Sequence, residues 1–439
     1  MNDDNGMRNE EEENKESLKK QDDLTNDYEN NTNKRKRKGN KKVIILTVVL
    51  LIITNTITAV ISPRIYSNLV TKIPFEDIKK FKSLFAVKGN IDKYYVDKYK
   101  EEELIDGAIK GMVSSVGDPY TTYMDVKDYE KWNSETGGKY VGIGIQIGVT
   151  KDNQVVVVAP FKGSPADRAG IMPNDSIVKV NDLSVTPDNL DQAIAKMKGK
   201  KDTKIHLTLW RKDKGQFAVD LVTEEITMHT VTSKMLEGNI GYISMAMFDE
   251  NSGDAFIEEL KNVRNKNASG VIVDLRGNPG GLVSQCIKIT SQFVPEGNTI
   301  VYTKDKEGNK DEYKSVGGIG QNLPLVILVD KGSASASEIF SAAIRDYKLG
   351  TLVGTNTFGK GKVQSVLDRS IFGLKEGTAL KVTTSYYYTP NGENIDKKGI
   401  EPNVIVEYPV ELMQKAYEES KDPQLQKAIE VMKEKINKK

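Results

Sequence analysis

The chain has 439 residues, enough for two or three domains, and its 63 basic against 62 acidic side chains leave no basic surplus of the kind that nucleic-acid binding needs. Cys286 is the only cysteine, which excludes an internal disulfide framework. The two histidines, His206 and His229, stand in no metal-ligand spacing, so metal-assisted hydrolysis has no support and no cofactor is expected.

Residues 1–42 carry almost no apolar side chains, and acids gather at Glu10, Glu11, Glu12, Glu13, Asp22, Asp23 and Asp27. Such a segment cannot bury enough surface to order itself and reads as a disordered tail. It ends in the basic run NKRKRKGNKK, followed by VIILTVVLLIITNTITAVIS, residues 43–62, without a charge. That is the length of a membrane span. A core helix would not be apolar all round after a polar tail, and a signal peptide would want a shorter apolar stretch with a small-x-small cleavage site. The expectation is one transmembrane anchor with a cytoplasmic tail, set by the basic block, and an extracytoplasmic remainder. Richness in Lys, Asn and Ile points to a bacterial cell membrane.

Residues 63–137 read as a helical collar. Phe75, Ile78, Phe81, Leu84 and Phe85 form a helical stripe, and Leu104, Ile105, Ala108, Ile109, Met112 and Val113 form another, closed by Gly117. GDPYTTYM follows as a turn. Residues 138–223 change to short strands with two small helices and resemble a PDZ domain. YVGIGI stands where that fold has its carboxylate-binding loop, so the backbone N–H groups around Val141, Gly142, Ile143 and Gly144 would converge on a peptide C-terminus. His206 falls on the strand face opposite Ile205, Leu207 and Leu209 and reads as a surface residue.

From residue 224 to 408 strands and helices alternate: GYISMAMF, SGDAFIEELKNVRN, VIVDLRGNPGG, LVSQCIKITSQFV, PLVILVD, SEIFSAAIRDY, GTLVG. This is an α/β core, whose strand C-termini are the expected place for a site. Residues 409–439 form a C-terminal helical region. One strand ends in DKGSASASEIF. Ser335 with Glu338 fits a capping box, and the spacing alone prefers that reading. Neither a G-x-S-x-G elbow nor a chymotrypsin-like loop is present, since Pro279 of RGNPGG stands where the latter has its serine. With neither histidine placed as a base, a nucleophilic serine would need a lysine of depressed pKa. Lys360, between Gly359 and Gly361, is a candidate that local physics does not distinguish from an ordinary loop lysine.

GSASASEIFSAAIRDY followed by VGTNTFGKGKVQ resembles the carboxyl-terminal processing (tail-specific) serine peptidase family, and the likeness extends from GDPYTTYM through DLRGNPGG to SYYYTPNGENIDKKGIEPNV. The resemblance implies a ClpP/crotonase-like α/β core and a Ser–Lys dyad of Ser335 and Lys360, with Gln364 orienting the lysine and Asp346 as structural support. It implies an oxyanion hole from the N–H of Ala336 and one from Gly280 or Gly281. Arg168 is either a coupler of peptide binding to gating or a surface charge. The implied partners are protein or peptide substrates with a free C-terminus, the membrane, and a second copy of the chain in a homodimer. The competing reading is an inactive membrane-tethered PDZ scaffold.

Overall fold

The computed structural model describes residues 41–58, 74–150, 152–368, 374–413 and 417–438. It falls into two compact units, Met1–Lys100 and Glu101–Lys439. In the first, Lys41–Thr58 is a helix of mean hydropathy 1.8, long and apolar enough to cross a membrane, with none of it buried. The rest of the expected 43–62 span, and the expected tail up to residue 40, lie outside the described residues. The stripe that begins at Phe75 is carried by two helices, Phe75–Lys80 and Lys82–Tyr94, joined at Phe81. Phe81, Leu84, Phe85 and Val87 are exposed.

In the second unit, helix Glu101–Ser114 leads through the GDPYTTY turn into strand Thr122–Met124. The PDZ-like module has an antiparallel sheet of strands Ile145–Val149, Val155–Pro160, Ser176–Val180, Lys204–Arg211 and Gly215–Val222, in that order. Strand alternation decides its inside: Ile205, Leu207 and Leu209 are buried, while His206 is exposed and bonded to Asp220, as the pattern predicts. The module hangs on a two-stranded stem, Lys139–Gly142 against Glu224–Thr227.

The main sheet runs Val231–Leu236, Ile240–Met245, Gly270–Asp274, Leu325–Val329, Thr351–Gly354, Val404–Ile405, antiparallel at the first pair and parallel thereafter. Its central strands Gly270–Asp274 and Leu325–Val329 are buried at every position because both faces are covered. Val271 and Val273 join the core that includes helices Ser252–Asn265, Val283–Thr290 and Ala336–Asp346. Ile272 points the other way, to Leu425, Ala428 and Met432 of helix Pro423–Asn437. The apolar face of that terminal helix is therefore used within the chain.

Sequence reading missed a second sheet of Thr122–Met124, Ala379–Tyr388, Thr299–Asp305 and Lys310–Lys314, with Lys362–Leu367 along Ala379–Tyr388. The reason is visible in Lys362–Leu367, half-buried at all positions, so that KVQSVL shows neither alternation nor an apolar run.

Arg276 ties the end of strand Gly270–Asp274 to the start of the terminal helix. Its guanidinium reaches Asp274 Oδ2 at 2.6 Å and Asp422 Oδ2 at 2.8 Å. Asp422, fully buried, also caps the terminal helix by accepting from the Gln424 and Leu425 N–H groups, both at 3.0 Å. Removing one partner of a buried pair leaves the other charge uncompensated. Asp422→Ala is therefore expected to destabilise this unit by about 3 kcal/mol, cap loss included. Lys427→Ala, which deletes an exposed pair with Glu430, should cost below about 0.5 kcal/mol. Denaturant unfolding of the two variants checks this, and equal midpoints would contradict it.

Candidate active site

Strand Leu325–Val329 is buried throughout and delivers Asp330 to its C-terminal end. The Asp330 carboxylate gathers the loop that follows: Oδ1 accepts from the N–H groups of Gly332 (2.9 Å) and Ser333 (3.1 Å), and across the cleft from Gly277 (2.8 Å). Ser333 and Ser337 are fully buried, and their hydroxyls donate to the carbonyls of Leu275 (2.8 Å) and Asn278 (3.0 Å). Both serve the loop's architecture. Ser335 between them is half-buried, and it sits at the start of helix Ala336–Asp346 with φ 56° and ψ −111°. A side chain rarely adopts that backbone without compensating contacts.

The compensation comes from Glu338, one turn into the helix and fully buried. Its Oε2 accepts the Ser335 N–H at 2.8 Å and the Lys360 N–H at 2.9 Å, while Oε1 accepts the Gly359 N–H at 2.7 Å and the Thr357 hydroxyl at 2.6 Å. The carboxylate thus fixes the main chain on both sides of the cleft, Ser335 on one and Lys360 on the other. The sequence signal was the capping box, whose glutamate read as a local cap. Its reach to residues 357–360 is a tertiary contact that spacing does not encode. Gly359 is required there, because with φ +91° a Cβ would lie 2.9 Å from Gly399 N and 3.0 Å from Lys398 N.

Lys360 is half-buried, and desolvation, helped by the nearby charge of Lys381, lowers its pKa against the opposing carboxylates of Glu338 and Asp118. Its Nζ lies 4.8 Å from the centre of the Tyr120 ring. No hydrogen bond joins it to Ser335 Oγ or to any other described residue. Gln364 does not reach it either: its Nε2 donates to Thr383 Oγ1 at 3.2 Å. Thr383 in turn donates to Asp118 Oδ2 at 2.6 Å, and Lys362 pairs with Asp118 Oδ1 at 3.1 Å. Burial opposes ionisation of Asp118, but bonds from Thr383, Thr121 and Lys362 outweigh it and hold its pKa at about 2. Asp118 and Tyr120 were not singled out from the sequence, where GDPYTTY reads as a turn.

Opposite Ser335 lies the RGNPGG turn. Asn278, fully buried, accepts the Gly280 N–H on its Oδ1 at 2.9 Å, and its own carbonyl accepts the Ala334 N–H at 3.0 Å. The N–H groups of Gly281 and Ala336 have no hydrogen-bond partner among the described residues. Gly280, with φ +100°, packs so closely that a Cβ would meet Ser335 Cβ at 2.8 Å and Ala336 N at 2.9 Å. At the far end of the helix Asp346 accepts from Arg345 (2.8 Å) and from the Asn391 N–H (3.0 Å), tying the helix to the 389–393 turn.

In the PDZ-like module Val141 and Gly142 end the stem strand. Ile143 is buried, and Gly144, with φ +77°, turns the chain into strand Ile145–Val149. The carbonyls of Ile143 and Gly144 accept from Ala166 N (3.0 Å) and Ser164 Oγ (2.9 Å). An apolar groove between this strand and helix Leu190–Met197 is lined by Tyr140, Ile143, Ile145, Ile147, Ile194 and Met197. Arg168 donates to Glu224 Oε1 at 2.6 Å at the exit of the module, an exposed pair.

A sequence profile of Peptidase family S41 matches residues 239–406, one of the activating protease CtpB N-terminal domain matches residues 61–128, and a PDZ domain profile matches residues 156–211. The carboxy-terminal processing protease CtpA of Bacillus subtilis is 38% identical over 330 residues, 75% of this chain and 70% of that one. A probable CtpA-like serine protease of Staphylococcus epidermidis is 33% identical over 358 residues, 81% of this chain and 71% of the other. A solved structure of a putative S41 protease from Bacteroides fragilis shares the fold, with a TM-score of 0.50 at 13% identity over 78% of this chain and 92% of that one. Identity at this level over most of both chains, with the PDZ and N-terminal modules in place, means that the chain belongs to peptidase family S41, the carboxy-terminal processing serine proteases.

Proposed function

We propose that the chain is a membrane-anchored serine endopeptidase that recognises free protein C-termini and cleaves through Ser335 and Lys360. The observation that carries this is the Glu338 carboxylate, which holds the Ser335 and Lys360 main chains on one oxygen at 2.8 and 2.9 Å. Neutral Lys360 takes the Ser335 proton as Oγ attacks the scissile carbonyl. It then gives that proton to the leaving amine, and water hydrolyses the acyl-enzyme with Lys360 again as base. The Ala336 N–H, at a helix N-terminus, favours the developing oxyanion. Gly281 is the better second donor, because the Gly280 N–H is held by Asn278 Oδ1. Gln364 acts through the strand it shares with Lys362, by way of Thr383, and Asp346 supports the helix end. Asn391 and Arg345 are its partners.

The groove beside Ile143 and Gly144 is the reading's peptide site, with the Val141–Gly144 amides facing the terminal carboxylate and Arg168 bracing the module's exit. The helix Lys41–Thr58 supports single-pass anchoring in a bacterial membrane with the peptidase outside. The exposed apolar side chains of Phe81, Leu84 and Phe85 suit a homodimer. We divide the chain into tail 1–42, anchor 43–62, collar 63–137, PDZ domain 138–223, ClpP/crotonase-like core 224–408 and C-terminal helical region 409–439.

Ser335→Ala and Lys360→Ala should each lower kcat/KM on a peptide substrate by at least ~10³-fold, with unfolding midpoints little changed. Turnover by either variant at the parent rate would refute the dyad and favour the scaffold reading. A substrate amidated at its C-terminus should show a raised KM, by roughly tenfold, because a charge-assisted contact is lost. Indifference to amidation would remove the proposed role of the Val141–Gly144 loop.

A further inference from the structure

The GDPYTTY turn has no part in the chemistry described so far, yet it reaches the dyad. Asp118 clamps it to the second sheet through Lys362 (3.1 Å) and Thr383 (2.6 Å), and Thr122–Met124 pairs in register with Ala379–Lys381. This rigid support sets the Tyr120 ring 4.8 Å from Lys360 Nζ. The Lys362 ammonium lies further off, at 5.8 Å from the same ring, and is held by Asp118. The Lys360 ammonium makes no hydrogen bond among the described residues, and the Tyr120 ring lies against it. An aromatic face attracts a cation more strongly than it does a neutral amine, to which it offers only a weak N–H···π contact.

We propose that Tyr120 is a positioning residue that holds the protonated Lys360 side chain off Ser335, so that the base engages the nucleophile only when Nζ leaves the ring. The inference rests on the reading of Lys360 as general base. Groups from every surrounding element share in setting its charge: Lys381 of strand Ala379–Tyr388 favours the neutral amine, as burial does, while Glu338 of the nucleophile helix and Asp118 of the turn favour the ammonium. Asp396 and Lys362 face the same ring. The Tyr120 quadrupole adds to the ammonium side. Removing it releases the lysine and makes deprotonation easier.

The test uses the full chain and two readouts: kcat/KM against pH on a peptide with a free C-terminus, and the pH dependence of Lys360 acetylation followed by mass spectrometry. Tyr120→Phe keeps the π face and should match the parent in both. Tyr120→Leu keeps an apolar cover without the π face. It should move the acetylation midpoint and the acid limb of kcat/KM down together, by roughly half a pH unit or more. Tyr120→pentafluorophenylalanine, similar in shape with its π face drained, should shift them the same way and guards against a turn disturbed by leucine. Lys362 acetylation, governed by Asp118, should stay put in all variants. Unchanged Lys360 midpoints in both the leucine and the fluorinated variant, or a shift with Tyr120→Phe as large as theirs, would overturn the proposal. A shifted acetylation midpoint with an unshifted rate profile would uphold the resting place and refute Lys360 as the base.

Discussion

Everything at this site depends on one buried carboxylate. Glu338 lies in an apolar core beside Ile339 and Phe340, and a charge there is tolerated only because four donors surround it. Those donors come from two segments 20-odd residues apart, which also meet where the Phe358 N–H donates to the Ser333 carbonyl at 3.0 Å. Hydrogen bonds to an ionised group contribute about 1.5–3 kcal/mol each. The strain of Ser335 at φ 56° costs about 1–3 kcal/mol. The bonds outweigh the strain, so the helix can begin on Ser335 in this conformation.

The opposite wall of the cleft is positioned by similar means. Asp330 and Asn278 cross-link the serine loop and the RGNPGG turn through backbone groups, so the distance between the free N–H groups of Gly281 and Ala336 is set by a fixed scaffold. Arg276 continues this scaffold outward. It begins the RGNPGG turn and ends on Asp422, the cap of the terminal helix. The packing of residues 422–437 on the main sheet therefore bears on the geometry of a turn more than 140 positions earlier, without contact to any substrate.

How much of this was legible in the sequence varies with the range of the interaction. Strand alternation placed His206 outward, and the apolar run of PLVILVD placed Ser335 at the end of a buried strand; both are local facts. The capping-box spacing of Ser335 and Glu338 was also local, but the glutamate's second oxygen and its Gly359 and Thr357 partners were not. Strands of the second sheet escaped because their burial follows no simple period: KVQSVL is half-buried throughout and KDEYK is exposed throughout. Tyr120 escaped because a turn sequence shows where the chain bends and not what it bends toward. Lys360 and Gln364 were singled out through family likeness, and the structure separates them: the first is desolvated beside Glu338, the second is bonded to Thr383.

The order of segments along the chain has a mechanical consequence. The turn that carries Asp118 and Tyr120 precedes the PDZ-like module, and the Ser335 and Lys360 segments follow it, so the module is inserted into the body that holds the site. Its only covalent links are the two paired strands of the stem, Lys139–Gly142 and Glu224–Thr227. The entry strand runs on through Ile143 and Gly144 into the groove, and the exit strand begins at Glu224, where Arg168 of the module's short helix attaches. Just before the stem, Thr136 and Gly138 accept backbone bonds from Glu250 and Met228 of the core. Any force on the groove strand therefore loads the stem directly. An exposed pair such as Arg168–Glu224 contributes below about 1 kcal/mol. A contact that weak can be exchanged for another during binding without unfolding either partner, which a buried network such as Arg276–Asp422 could not do.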